Sequence, residues 1–119
     1  MTQLATIDQA AGPLAHVAAS VKEYLAASVA ENTKRGYQSD WKLFTRWCDS
    51  VGAASLPAAP AIVAAYLTSL ADSGKKASTI DRARAAIRKA HEVAGQEDPT
   101  HAEGVRQTLK GIRRTIGTA

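Results

Sequence analysis

A chain of 119 residues with 45% hydrophobic positions suits one domain with a modest core and leaves two poorly supported. Its single cysteine, Cys48, excludes an intramolecular disulfide and a cysteine-rich metal cage, and fits a reducing compartment. The net charge of +4 is unevenly spread: residues 1–74 carry five Lys/Arg against six Asp/Glu, whereas 75–119 carry ten against five, which favours an anionic partner near the C-terminal half.

Residues 1–12 show little periodicity and read as a flexible N-terminal lead. Pro13 suits the first turn of a helix running to about Ala30, in which Leu14, Val17, Val21, Leu25 and Val29 recur at three- and four-residue steps. That stripe needs a partner surface. Asn32 is a suitable N-cap for a second helix over about 33–50, with Tyr37, Trp41, Phe44 and Cys48 on one face and Gly52 at its end.

The linker ASLPAAP leads into a third helix starting near Pro60, with Ile62, Val63, Tyr66, Leu67 and Leu70 apolar and Gly74 marking its end. Ser78 and Asp81 have capping-box spacing, predicting a fourth helix over about 79–94 with Ile80, Ala83, Ile87, Ala90 and Val93 or Ala94 inward. Gly95 and Pro99 bracket a turn. Thr100 and Glu103 repeat the box before a fifth helix reaching about Arg114, whose apolar side is Val105, Leu109, Ile112 and Ile116. Strand-like runs are absent, so the expected fold is all-α, a compact bundle of four to five helices.

On the second helix Arg35, Ser39, Lys42 and Arg46 share a side, flanked by Lys34 and Gln38. Such side chains neutralise phosphates, and Arg or Gln near a helix start can reach a base edge. The competing reading is a solvated amphipathic face. On the fourth helix Ser78, Arg82 and Lys89 share one side and Arg84 and Arg88 a neighbouring one. With Lys75 and Lys76, residues 75–89 hold six basic side chains against Asp81 alone. A second cationic helix makes solubility a weaker explanation than nucleic-acid binding. The last helix carries Arg106, Lys110, Arg113 and Arg114, where phosphate contact and favourable placement of cations at a helix C-terminus explain the pattern equally well.

Trp41 belongs to the core and Trp47 bridges to another helix, so neither reads as a stacking platform. Cys48 reads as a buried thiol, and Tyr24, Tyr37 and Tyr66 fall within core-like patterns. His16, His91 and His101 are too scattered to specify a metal site, and His91 suits packing or hydrogen bonding. There is no HExxH, Walker loop, GxGxxG or CxxC, and no cofactor is implied. No apolar run approaches the roughly 20 residues that cross a bilayer, and the N-terminus lacks a signal-peptide pattern, so the expectation is an intracellular, DNA-associated protein of the cytoplasm.

Together, T-x-x-x-Y-x-x-D-W-x-x-F-x-x-W-C at 33–48, LPAAPAIVAAYLTSLADSGKKASTI at 56–80 and LKGIRR at 109–114 resemble the N-terminal core-binding, SAM-like domain of tyrosine recombinases and phage integrases, particularly the Cre-like type. The resemblance covers about residues 13–116, with 117–119 a tail or the start of a linker to a catalytic domain. It implies a helical bundle that clasps one face of duplex DNA while a separate C-terminal domain clasps the other. It also implies second and fourth helices that approach the major groove, and first and fifth helices that meet neighbouring protomers in a synaptic assembly. The matching positions are Thr33, Lys34, Arg35, Gly36 and Gln38, then Ser78, Arg82 and Ala86. Gly36 and Ala86 stand where relatives can carry longer groups, which shifts the expected reading to Arg35, Gln38 and Arg82.

The family's nucleophilic tyrosine and its assisting residues belong to the C-terminal domain, so this chain alone is not expected to be an enzyme. The resulting expectation is double-stranded DNA binding and subunit assembly, with strand cleavage and religation performed elsewhere. Its candidate contacts are Thr33, Lys34, Arg35, Gln38, Ser39, Lys42, Arg46, Lys75, Lys76, Ser78, Arg82, Arg84, Arg88, Lys89, Arg113 and Arg114. The alternatives are a standalone helical DNA-binding accessory factor and a protein-interaction helical bundle.

Overall fold

A computed structural model describes residues 13–117; the expected lead at 1–12 and residues 118–119 lie outside the described residues. Four α-helices follow in order: α1 (Pro13–Val51), α2 (Pro60–Asp72), α3 (Ala77–Val93) and α4 (Glu103–Ile116), with a short 3-10 turn at Pro99–His101 before α4. The architecture is the all-α bundle expected from the sequence. The chain divides into two compact units, one ending at Arg35 and the other beginning at Gly36.

The expected break at Asn32 does not occur, because α1 is one helix of 39 residues. Residues 26–34 contain neither proline nor glycine, so nothing interrupts the i to i+4 ladder. Instead of capping, Asn32 Oδ1 accepts from Arg35 Nη2 at 2.6 Å, and Thr33 Oγ1 donates back to the Val29 carbonyl at 3.0 Å. In the first unit Leu14, Val17, Val21, Leu25 and Val29 are all at least half exposed. Tyr24 is 77% exposed, which corrects its core assignment.

The second unit has a continuous core of Phe44 and Cys48 from α1, Val63, Tyr66 and Leu67 from α2, Ile80, Ala83 and Ile87 from α3, and Val105 and Leu109 from α4. Helix α2 packs most extensively on α4 and also against α3. Pro60 opens α2 at its first turn, where a missing N–H costs nothing. Gly52 follows the last turn of α1. Gly74 and Gly95 hold φ of +88° and +70°, and in each case the next residue donates its N–H back to the third-last helical carbonyl: Lys75 to Leu70 and Gln96 to His91, both within 3.0 Å. Only glycine adopts this left-handed backbone without strain, which is why these positions end α2 and α3.

Neither expected capping box forms. Helix α3 starts at Ala77, so Ser78 and Asp81 lie inside it, and the Asp81 carboxylate accepts from Arg84 and Arg113 instead. Thr100 sits in the 3-10 turn, where its N–H and Oγ1 both donate to Asp98 Oδ1 at 2.9 and 2.7 Å. Glu103 begins α4 and accepts from Gln107 Nε2 at 2.7 Å.

Candidate nucleic-acid interface

The aromatic row of α1 sets which of its residues face water. Phe44 and Cys48 are fully buried; Trp41 lies 5.5 Å from Phe44 and meets the His91 ring edge-on at 5.9 Å, and Trp47 lies 5.3 Å from Tyr66 of α2. Trp47 therefore bridges to another helix, as expected. With that row anchored, Gln38, Ser39, Lys42 and Arg46 fall on the exposed side of α1. Thr33, Lys34 and Arg35 are also exposed but belong to the first unit.

Asp40 is a carboxylate on the buried side of α1, only 7% exposed. Arg82 of α3 answers it with two bonds, Nε to Oδ2 at 2.6 Å and Nη2 to Oδ1 at 3.3 Å. The hydrogen bond and the charge of Asp40 push the Arg82 pKa up, so the guanidinium is cationic at any working pH. This fork-to-fork pair ties α1 to α3 across 42 positions of sequence. More than half of the Arg82 side chain remains exposed, leaving further N–H groups available to a ligand. The pairing was missed in the sequence, although an acid within the apolar face of the D-W-x-x-F run was a sign that a cation must meet it.

Around Arg82, Lys75, Lys76 and Ser78 are exposed at the start of α3. Lys89 is exposed one turn before the end of the helix, 3.8 Å from Glu92. Its inner side is fixed by His91, which is fully buried. Ala58 donates its N–H to His91 Nε2 at 3.0 Å, so Nδ1 carries the proton and donates to the Ile87 carbonyl at 2.8 Å. Both ring nitrogens are used within the fold, in keeping with a packed, hydrogen-bonded histidine. Among the described residues no three His, Cys, Asp or Glu side chains gather as a metal site.

Arg84 and Arg88 occupy the other flank of α3 and turn toward α4. There they line a cleft of about 480 Å³ together with Arg106, Lys110 and Arg113. Arg84 Nε and Arg113 Nη2 both donate to Asp81 Oδ1, at 3.0 and 3.1 Å, while Arg88 Nε stands 3.8 Å from Asp98 Oδ2. Arg114 is exposed and is not among the cleft's lining residues. The expected contacts thus divide between the α1 and α3 exposed sides and a separate α3–α4 cleft. Arg106 and Lys110, for which the sequence left phosphate contact and favourable helix-end placement equal, also line this cleft.

The Cys48 thiol is pushed up in pKa by burial and then by the neighbouring Asp49 carboxylate, as expected for an inert core sulfur. No helix among the described residues is long and apolar enough to cross a membrane. Residues 20–98 match the family described as phage integrase, N-terminal SAM-like domain. The chain is also similar to an integrase/recombinase xerD homolog of Selenomonas ruminantium, 38% identical over 100 residues. That alignment covers 82% of this chain and 29% of the relative's length.

Proposed function

Because the chain belongs to the phage integrase N-terminal SAM-like domain family, and corresponds to the non-catalytic N-terminal region of tyrosine recombinases, we propose that it is a core-binding domain that holds duplex DNA through the exposed cations of α1 and α3. Membership carries a DNA-associated role. The finer reading rests chiefly on one observation: the Arg82–Asp40 pair joins α1 to α3 while leaving Lys42, Arg46, Lys75, Lys76 and Lys89 in water. Phosphate neutralisation by these groups would supply most of the affinity, and Gln38, Ser39 and Ser78 would add hydrogen bonds to phosphate or base edges. Thr33, Lys34 and Arg35, in the first unit, are further candidate contacts. In this reading residues 13–116 contribute binding and protomer assembly to a recombinase that breaks and rejoins strands with residues outside this segment.

The test is duplex binding by wild type and by a Lys42→Gln, Arg46→Gln, Lys89→Gln variant, with helicity checked by circular dichroism. These three side chains make no bond to the core, so the variant should fold. Retained helicity with affinity reduced at least tenfold supports the reading. Unchanged affinity in the folded variant rejects it.

A further inference from the structure

The cleft between α3 and α4 holds more positive charge than the fold itself answers. Its walls carry Arg84, Arg88, Arg106, Lys110 and Arg113 around the single carboxylate of Asp81. Asp98 and Glu103 stand at the margins, 3.8 Å from Arg88 and 3.4 Å from Arg106. Five cations therefore meet three carboxylates, and Lys110 has no carboxylate partner among the described residues. Concentrating like charges costs stability unless a ligand answers them.

The arrangement also fixes the geometry of the donors. Asp81 Oδ1 is shared by Arg84 from α3 and Arg113 from α4, which brings a guanidinium from each helix to one oxygen and uses one donor of each. Asp98 spends Oδ1 on the Thr100 N–H and hydroxyl, and its buried Oδ2, without a hydrogen bond, lies 3.3 Å from His101 Nε2 and 3.8 Å from Arg88 Nε. Leu109 is the one apolar lining residue and is nearly buried, so the cleft offers no pocket for the apolar anchors of a docked peptide.

We propose that this cleft is a phosphate-binding site in its own right, separate from the exposed sides of α1 and α3, and that Arg84, Arg113 and Lys110 grip the phosphate oxygens. Guanidinium forks match phosphate geometry, and about 480 Å³ accommodates a phosphate or diphosphate group. The shared chemistry is a phosphate ester, supplied by a nucleic-acid backbone or by a free phosphorylated molecule. The backbone source rests on the DNA-binding reading above.

Two probes separate these cases: inorganic pyrophosphate, followed through the arginine Nε–Hε resonances of the whole chain, and a short duplex, followed by salt-dependent binding. The informative variant is Arg106→Gln with Lys110→Gln, which spares the Asp81 link. Pyrophosphate should shift the Arg84 and Arg113 resonances in wild type and bind at least tenfold more weakly to this variant, while Lys42→Gln with Arg46→Gln leaves it unaffected. If the backbone is the source, the Arg106 and Lys110 variant also lowers the salt slope of duplex binding by about 1 to 2, since each lost phosphate contact removes roughly 0.9. An unchanged slope, with pyrophosphate bound by the wild type and weakened in the variant, assigns the cleft to free phosphates, whereas pyrophosphate binding equal in wild type and variant overturns the site. Pyrophosphate binding without any duplex binding rejects the DNA reading but upholds the site. No response to pyrophosphate, or a response only to a poly-glutamate peptide, overturns the site.

Discussion

Asp40 and Arg82 show how one residue serves structure and binding together. Removing Arg82 strips a binding cation and also leaves a carboxylate buried without its partner, so a loss of DNA affinity in Arg82→Ala alone would be ambiguous. A double-mutant cycle with Asp40→Asn and Arg82→Gln separates the two effects. Breaking a fully buried pair costs about 3–5 kcal/mol, and the half-exposed Arg82 side chain lowers the expected coupling to roughly 1–2 kcal/mol in urea denaturation. Additive single-mutant losses would show that the pair is not energetically coupled. Cys48 and Tyr66 make a second claim, on pH. Burial raises both pKa values, aided by Asp49 for the thiol and by Asp40 and Cys48 for the phenol, so the folded state favours their neutral forms. Their contribution is fully present below the ordinary thiol value of about 8.5 and is lost as pH rises toward the folded values. The urea midpoint should therefore fall between neutral pH and about 10, and Cys48→Ala should flatten the first part of that fall. An identical pH profile in Cys48→Ala would remove the thiol from the account.

At the scale of the elements, helix ends are written in glycine. Gly95 stops α3 in a left-handed turn that also sets the start of the chain's passage to α4, and Gly95→Ala should destabilise the domain by roughly 1 kcal/mol in thermal denaturation. An equal or higher melting temperature would mean that the turn tolerates a Cβ. The glycine and proline punctuation made α2, α3 and the end of α1 legible in the sequence, and the i, i+3, i+4 pattern identified Phe44, Leu67, Ile80, Ile87, Val105 and Leu109 as core. Capping-box spacing misled, because its members bond elsewhere: Asp81 accepts from two arginines, Thr100 donates its N–H and hydroxyl to Asp98 in a 3-10 turn, and Glu103 accepts from Gln107. Asn32 misled for a related reason, since a favourable cap residue does not end a helix whose neighbours sustain it. The cationic helices were legible as basic sequence, but their division was not. Side-chain spacing places Arg82 and Arg84 on neighbouring sides of α3, whereas only the packing of α1 and α4 directs the first to Asp40 and the second into a cleft.

For the whole molecule, a surplus of basic side chains becomes a binding device only if its charge is displayed rather than consumed internally. Much of it is paired: Arg82, Arg84, Arg88, Arg106 and Arg113 each have a carboxylate within 4 Å. Lys42, Arg46, Lys75 and Lys76 remain exposed, and Lys89 is held only by a surface pair of little strength. Binding should therefore be dominated by counterion release from phosphates, with sequence preference a smaller part of the affinity. The most direct test is the dependence of wild-type duplex affinity on salt between roughly 50 and 200 mM, plotted as log K against log salt concentration. A linear fall with a slope of about −3 or steeper is the predicted result, equivalent to three or more phosphates neutralised. A slope near zero, or no duplex binding at the lowest salt, would contradict the assignment of these helices to the DNA backbone.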